Sequence, residues 1–176
     1  MQKMSTSERY EWYKVVKDNT LQQGDFFYDC PITMPLANPE KEDVEVKVMV
    51  YDVVVMSQSC DLEARKVDIV LVCPFFPLSA MKAQGSHFDS SKWLKGVRDG
   101  KEPGYHLLNK IPFDGYLQEP FIVEFRNVYG IHLEYLENIA RARKDRIRLL
   151  PPYKEHLSQS FARFFMRVGL PIPIEI

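Results

Sequence analysis

Between Val44 and Met56 the side-chain pattern changes period, and no other stretch constrains the fold as strongly. Val44, Val46, Val48 and Val50 alternate with Glu45, Lys47, Met49 and Tyr51, the pattern of a strand with one buried and one wet face. After Asp52, Val53-Val54-Val55-Met56 is apolar without interruption, as a strand covered on both faces reads. Asp68-Ile69-Val70-Leu71-Val72-Cys73 has the same character and is expected to stop at Pro74, and Phe121–Phe125 supplies the last strand. A sheet buried on both sides needs covering elements on both sides. A chain of 176 residues and 20.6 kDa can supply them within a single domain, 1–176.

Ser5-Thr6-Ser7-Glu8 has the spacing of a capping box and predicts a helix over roughly residues 6–17, within an N-terminal segment 1–20. Gln23-Gly24-Asp25 turns into Phe26-Phe27-Tyr28, a first strand, and Pro31, Pro35 and Pro39 predict a loop after it. Strands thus occupy 21–73 and 120–126. Residues 74–119, rich in glycine and proline, read as a long inserted loop with one short helix near Ser91–Val97. The segment 131–170 is predicted to be helical. Leu133, Leu136 and Ala140 form one stripe running into a basic stretch, and Pro151-Pro152 then breaks the chain. Leu157, Phe161, Phe164, Phe165 and Val168 form a second stripe, ended by Gly169 and Pro171. Helix, strands, then helices predict an α+β fold with a mostly antiparallel or barrel-like sheet.

Hydrophobic residues make up 45% of the chain and charged ones 27%, which excludes disordered and fibrous classes. No apolar run has the length of a membrane helix, the first thirty residues lack the apolar centre of a signal peptide, and three cysteines suit a reduced compartment. The expectation is a cytoplasmic protein without membrane contact. A net charge of -1 gives no general drive towards nucleic acid. It conceals a polarity, however: residues 1–63 are strongly acidic and 137–170 strongly basic.

One cluster concentrates reactive side chains: Ser57, Gln58, Ser59, Cys60 and Asp61, directly after the buried strand. Rigid strand ends followed by free turns are common places for sites. Ser57, Cys60 and Asp61 are the candidate catalytic residues, with Gln58 and Ser59 as binding residues. Serine and aspartate in such turns also serve the local backbone. A Cys60 nucleophile would need a base, and His87, His106, His132 and His156 are the candidates, none selected by spacing. No Cys-x-x-Cys, His-Glu-x-x-His or glycine-rich phosphate loop is present, so neither metal nor cofactor is expected. Arg141, Arg143, Lys144, Arg146 and Arg148 form a basic contact surface, and Arg163 and Arg167 stand one turn apart on the last helix. Such arginines bind phosphate or carboxylate, or pair with acids of the same chain.

The strand and turn Val53–Leu62, with the closing stretch Leu149–Leu157 and Phe161–Pro171, resemble a group of bacterial proteins in which a buried strand runs into a Ser/Thr-Gln-x-Cys-Asp turn. That resemblance implies a bacterial intracellular protein and brings no assigned activity. Gly24-Asp25-Phe26-Phe27, Val53–Ser57 and Ile69–Pro74 more distantly resemble the PemK/MazF-type toxin barrels. Those toxins cut RNA with an arginine just before the central strand and a Ser or Thr at its end. Here Tyr51-Asp52 stands at the arginine's place, and an acid there repels phosphate. The resemblance therefore implies a small SH3-like or PemK-like β-barrel core rather than a toxin. The function expected is a non-catalytic binding or accessory component contacting a protein, with weak nucleic-acid contact as a lesser possibility. The alternative is a hydrolase, either a divergent ribonuclease or a Cys60-dependent enzyme.

Overall fold

The computed structural model describes residues 10–35 and 46–166. The described residues contain eight strands and five helices. The strands are β1 (Tyr13–Val16), β2 (Phe26–Pro35), β3 (Val46–Val55), β4 (Ile69–Pro77), β5 (Tyr105–Leu108), β6 (Phe121–Glu124), β7 (Tyr129–His132) and β8 (Arg146–Leu149). The helices are α1 (Ser59–Glu63), α2 (Leu78–Ala83), α3 (Ser91–Arg98), α4 (Leu133–Arg143) and α5 (Tyr153–Phe165).

The fold is α+β, as expected, with antiparallel pairing throughout. The expected barrel does not close. Six strands form an open sheet in the order β2-β3-β4-β6-β5 with β7 also on β4, and β1 and β8 form a separate ribbon. Gly24 joins the two: its N–H donates to Val55 O at 2.9 Å and its carbonyl accepts from Leu149 N–H at 2.9 Å. A Cβ at Gly24 would sit 3.0 Å from Leu149 Cβ on a backbone with φ of 83°, so glycine is required there.

Val53 to Met56 are fully buried, because the sheet carries a core on each face. On one side Phe26, Val54, Cys73, Phe75, Phe121 and Leu157 pack together. On the other, Phe27, Val53, Val55, Val72, Leu133 and Leu136 do. A satellite cluster around Met81, Trp93 and Ile122 sits beneath α2 and α3.

Several expectations are corrected. No helix covers residues 10–17: Tyr13–Val16 is a strand paired with Leu149–Arg146, and the capping box Ser5–Glu8 lies outside the described residues. Pro31 and Pro35 do not make a loop. They lie within β2 at the edge of the sheet, where a missing donor costs no ladder bond, while Pro39 is outside the described residues. Val46, Val48 and Val50 are over half exposed instead of half-buried, because the outer β2–β3 ribbon extends beyond the packed core. Val44 lies outside the described residues.

Pro74 does not end β4. Residues Ile69–Val72 pair with β7 and Phe75–Pro77 with β6. Backbone groups alternate sides along a strand, so the missing Pro74 donor faces the gap where β4 changes partners. The 74–119 segment is not one loop, since it holds the end of β4, α2, α3 and β5. The final third is not wholly helical, because β7 and β8 interrupt it. The helix stripes fare better. Leu133, Leu136 and Ala140 are buried on α4, and Leu157 on α5, but Phe165 is 60% exposed. Val168, Gly169 and Pro171 lie outside the described residues.

Candidate functional site

The strand-end turn is built by exchange between β3, β4 and the loop before β2. Where β3 ends, Met56 N–H donates to Leu71 O at 2.8 Å, and Ser57 Oγ accepts from Leu71 N–H at 2.8 Å. Ser59 Oγ accepts from Gln23 N–H at 3.1 Å. Both serines are thus committed to the backbone, the structural role that short hydroxyl side chains take in turns. Gln58 opens the one-turn α1, its carbonyl accepting from Asp61 N–H and Leu62 N–H. Leu62 anchors that turn in the core, so the polar residues before it project outward.

Gln23 ties this turn to the C-terminal helix. Its side-chain amide donates to Met56 O at 2.8 Å and to Ser158 Oγ on α5 at 3.3 Å, and the residue is itself buried. A groove of about 500 Å³ opens between them. Ser57, Gln58 and Asp61 line one wall, Ile69 and Leu71 a second, and Phe161 and Ala162 of α5 a third. Ile69 and Leu71 are 50% and 41% exposed, unusual for large aliphatic residues of a central strand. Val70 and Val72, on the other face of the same stretch, are fully buried, so Ile69 and Leu71 stand on a face of β4 that the core leaves open. The Ser57–Asp61 turn and the Ser158–Ala162 stretch of α5, far apart in the chain, thus face each other across one groove.

Cys60 is exposed, and its thiol lies 3.7 Å from Gln58 Oε1 and 3.9 Å from Asp61 Oδ1. Both neighbours accept a proton bond from sulfur. A nucleophilic pair uses an imidazole instead. The other thiols are core groups: burial pushes Cys30 up to about 11 and Cys73 up to about 12.

Two of the five residues of the expected basic surface are internal, which corrects the reading of Arg146 and Arg148 as contact residues, whereas Arg141, Arg143 and Lys144 are exposed. Both are buried in β8 and converge on the buried Asp25 carboxylate, with further bonds to Thr20 O and the Asp18 carboxylate. Alternating Arg146, Ile147, Arg148 and Leu149 places both arginines on one face of a strand, which the helical reading missed. Desolvation pushes the Asp18 carboxyl up, but the Arg148 charge and the hydrogen bonds from Arg146 and Thr20 N–H hold it below its ordinary value. Arg143 donates to Tyr28 O and, at 3.0 Å, to Asp29 O. Arg141 lies 4.0 Å from Glu137, and Lys144 projects from the end of α4. Arg163 borders a separate cleft with His106 and His156. His87 packs against Phe88, His132 is exposed at the start of α4, and Arg167 lies outside the described residues.

Asp52, the acid that precedes the buried run of β3, is held by the protein itself. Asp52 Oδ1 accepts from Asp29 N–H at 2.8 Å. Burial raises its carboxyl above the ordinary value, against the pull of that hydrogen bond. Among the described residues no group of three His, Cys, Asp or Glu side chains is placed to hold a metal ion, and no helix is long and apolar enough to cross a membrane. Gln23, Asp25, Ile69, Leu71 and Ser158 were not singled out from the sequence. The signals for them are the polar Gln23 next to a Gly-Asp turn, and arginines alternating with Ile147 and Leu149. The chain matches no protein-family model, no curated protein and no solved structure.

Proposed function

We propose that this protein is a non-catalytic binding or accessory component of a bacterial intracellular system, and that it recognises a protein partner through the groove between the Ser57–Asp61 turn and α5. The observation that carries the reading is the pairing of exposed Ile69 and Leu71 with the polar side chains of Gln58 and Asp61 around one groove. A well-packed apolar centre with a hydrogen-bonding rim is the anatomy of a protein-recognition site. The partner inserts an apolar side chain between Leu71 and Phe161 and offers donors to Asp61 and Gln58. The groups around the Cys60 thiol favour this reading over a thiol hydrolase. The internal engagement of Arg146 and Arg148 removes much of the charge that a phosphate backbone would need.

The test is site-specific photo-crosslinking in the native host. A photoreactive side chain at Gln58 or Ile69 is expected to trap one discrete protein, which the same group at Lys92 on α3 does not trap. Leu71→Asp is expected to abolish that adduct. Equal adducts from all three positions, or a hydrolytic activity lost in Cys60→Ser, would overturn the reading.

A further inference from the structure

The face of α5 turned away from the Gln58 groove lines a second, larger cleft of about 700 Å³. His156, Ser160 and Arg163 recur at helical spacing with Gln159 beside them, whereas Ser158, Phe161 and Ala162 line the groove on the other side. The opposite wall comes from β5 and the end of α3, with His106, Asn109, Arg98 and Asp99. At one end Trp12 and Tyr153 stack face to face, their ring centroids 3.5 Å apart and their planes 9° apart. Both rings are partly exposed and both line the cleft.

The polar groups have distinct chemical roles. Arg98 Nε already donates to the adjacent Asp99 Oδ1 at 3.3 Å, so this arginine brings a carboxylate with it to the cleft. Arg163 makes no ion pair among the described residues, which leaves one guanidinium for one anionic group. Burial, and then the neighbouring His156 charge, push His106 down to about 4, so its imidazole is neutral near pH 7 and offers one donor and one acceptor. Gln159, Ser160 and Asn109 add neutral donors and acceptors around it. An aromatic platform, a neutral hydrogen-bonding wall and a single uncompensated arginine together describe a planar, polar-edged ring joined to one anion. The volume falls in the range of small-molecule sites, roughly 300–1,000 Å³.

We propose that this cleft binds a nucleoside monophosphate, the base continuing the Trp12–Tyr153 stack and the phosphate held by Arg163. Base stacking on aromatic side chains tolerates sequence, so the site discriminates by phosphate number more than by base. A triphosphate brings extra negative charge against Asp99, and of the two lining arginines among the described residues only Arg163 makes no ion pair. The site is independent of the protein-recognition groove, because the two use opposite faces of α5.

The experiment is a tryptophan-fluorescence titration of the full chain. Trp12 borders the cleft, while Trp93, the other of the two tryptophans, is buried beneath α3. AMP is expected to give a saturable change with a dissociation constant of about 1 mM or below. Adenosine, inorganic phosphate and ATP are each expected to bind at least about tenfold more weakly. Arg163→Gln, an exposed change that leaves the fold intact, is expected to weaken AMP about tenfold and to leave adenosine unchanged. Leu71→Asp in the other groove is expected to leave AMP binding as it was. The proposal is overturned if none of the four common nucleoside monophosphates gives a saturable change by about 10 mM. It is equally overturned if AMP binds no better than phosphate alone, or if Arg163→Gln has no effect.

Discussion

Arg146 Nε donates to Asp25 Oδ2 at 2.7 Å across 121 positions of sequence, and neither residue is more than 4% exposed. Arg148 reaches the same carboxylate through Nε and Nη2, so one buried acid compensates two buried arginines. This contact fixes β8 against the start of β2, beside the Gly24 hydrogen bonds that also join the β1–β8 ribbon to the main sheet. Removing one partner of a buried ion pair leaves an uncompensated charge in low dielectric, typically at a cost of about 3–5 kcal/mol. Asp25→Asn is therefore expected to lower unfolding free energy by that amount in a urea titration. A loss below about 1 kcal/mol, the scale of a surface pair, would show that Asp18 or water takes over the compensation.

The stability of the fold should also respond to His106. Burial holds it at about 4 in the folded protein, against an ordinary 6.5 in the unfolded chain. Between those values the unfolded state binds the extra proton, so stability rises with pH and falls as pH drops from 6.5 towards 4. The shift corresponds to up to about 3 kcal/mol once the folded form must also be protonated. Unfolding curves at pH 7, 5.5 and 4 are expected to show a decline in the wild type that His106→Gln flattens. Parallel declines in both proteins would assign the acid sensitivity to other groups, among them Asp18, whose lowered carboxyl also loses stability on protonation.

What could be read from sequence divides along physical lines. The α4 and α5 stripes and the run Val53–Met56 were legible because burial writes a period into the residues themselves. β1 was not, because Trp12, Tyr13, Val15 and Val16 suit a docked helix or a strand equally well. Only pairing with Ile147 and its neighbours decides between them. Pro31, Pro35 and Pro74 misled for the same reason: whether a proline is tolerated depends on which neighbour its missing donor faces, and that is a property of the sheet. The Ser57–Asp61 turn was legible as a place of interest, whereas its meeting with Phe161 and Ala162 depends on how α5 crosses it.

The three thiols offer a direct check of the turn. Cys60 is exposed, while burial raises both Cys30 and Cys73 well above the usual thiol range. Only thiolates react with mild alkylating agents. At pH 7.5 iodoacetamide is expected to modify Cys60 alone, no faster than a cysteine in a short peptide, and the other two only after denaturation. Mass spectrometry of the digested protein reads the sites. Rapid, stoichiometric labelling of Cys60 within seconds would instead mark an activated nucleophile and revive the enzyme reading.

Along α5 burial falls steeply from one turn to the next, and the cost of truncation should follow it. Leu157 is completely buried among the Phe26–Phe125 aromatic cluster. Phe161 lies one turn on, only partly covered, with its ring at 69° to Phe125 and 5.5 Å away. Phe165 is 60% exposed. A buried leucine cut to alanine costs about 2–5 kcal/mol, lost transfer energy plus cavity. A half-covered phenylalanine forfeits only its buried share, about 2 kcal/mol at the usual area coefficient, less than the cost of a fully buried ring. An exposed side chain changes stability by no more than about 0.5 kcal/mol. Urea unfolding of Leu157→Ala, Phe161→Ala and Phe165→Ala is thus expected to rank them in that order at every protein concentration. If Phe165→Ala instead proves costly, with a midpoint that rises with protein concentration, a second copy covers the end of α5.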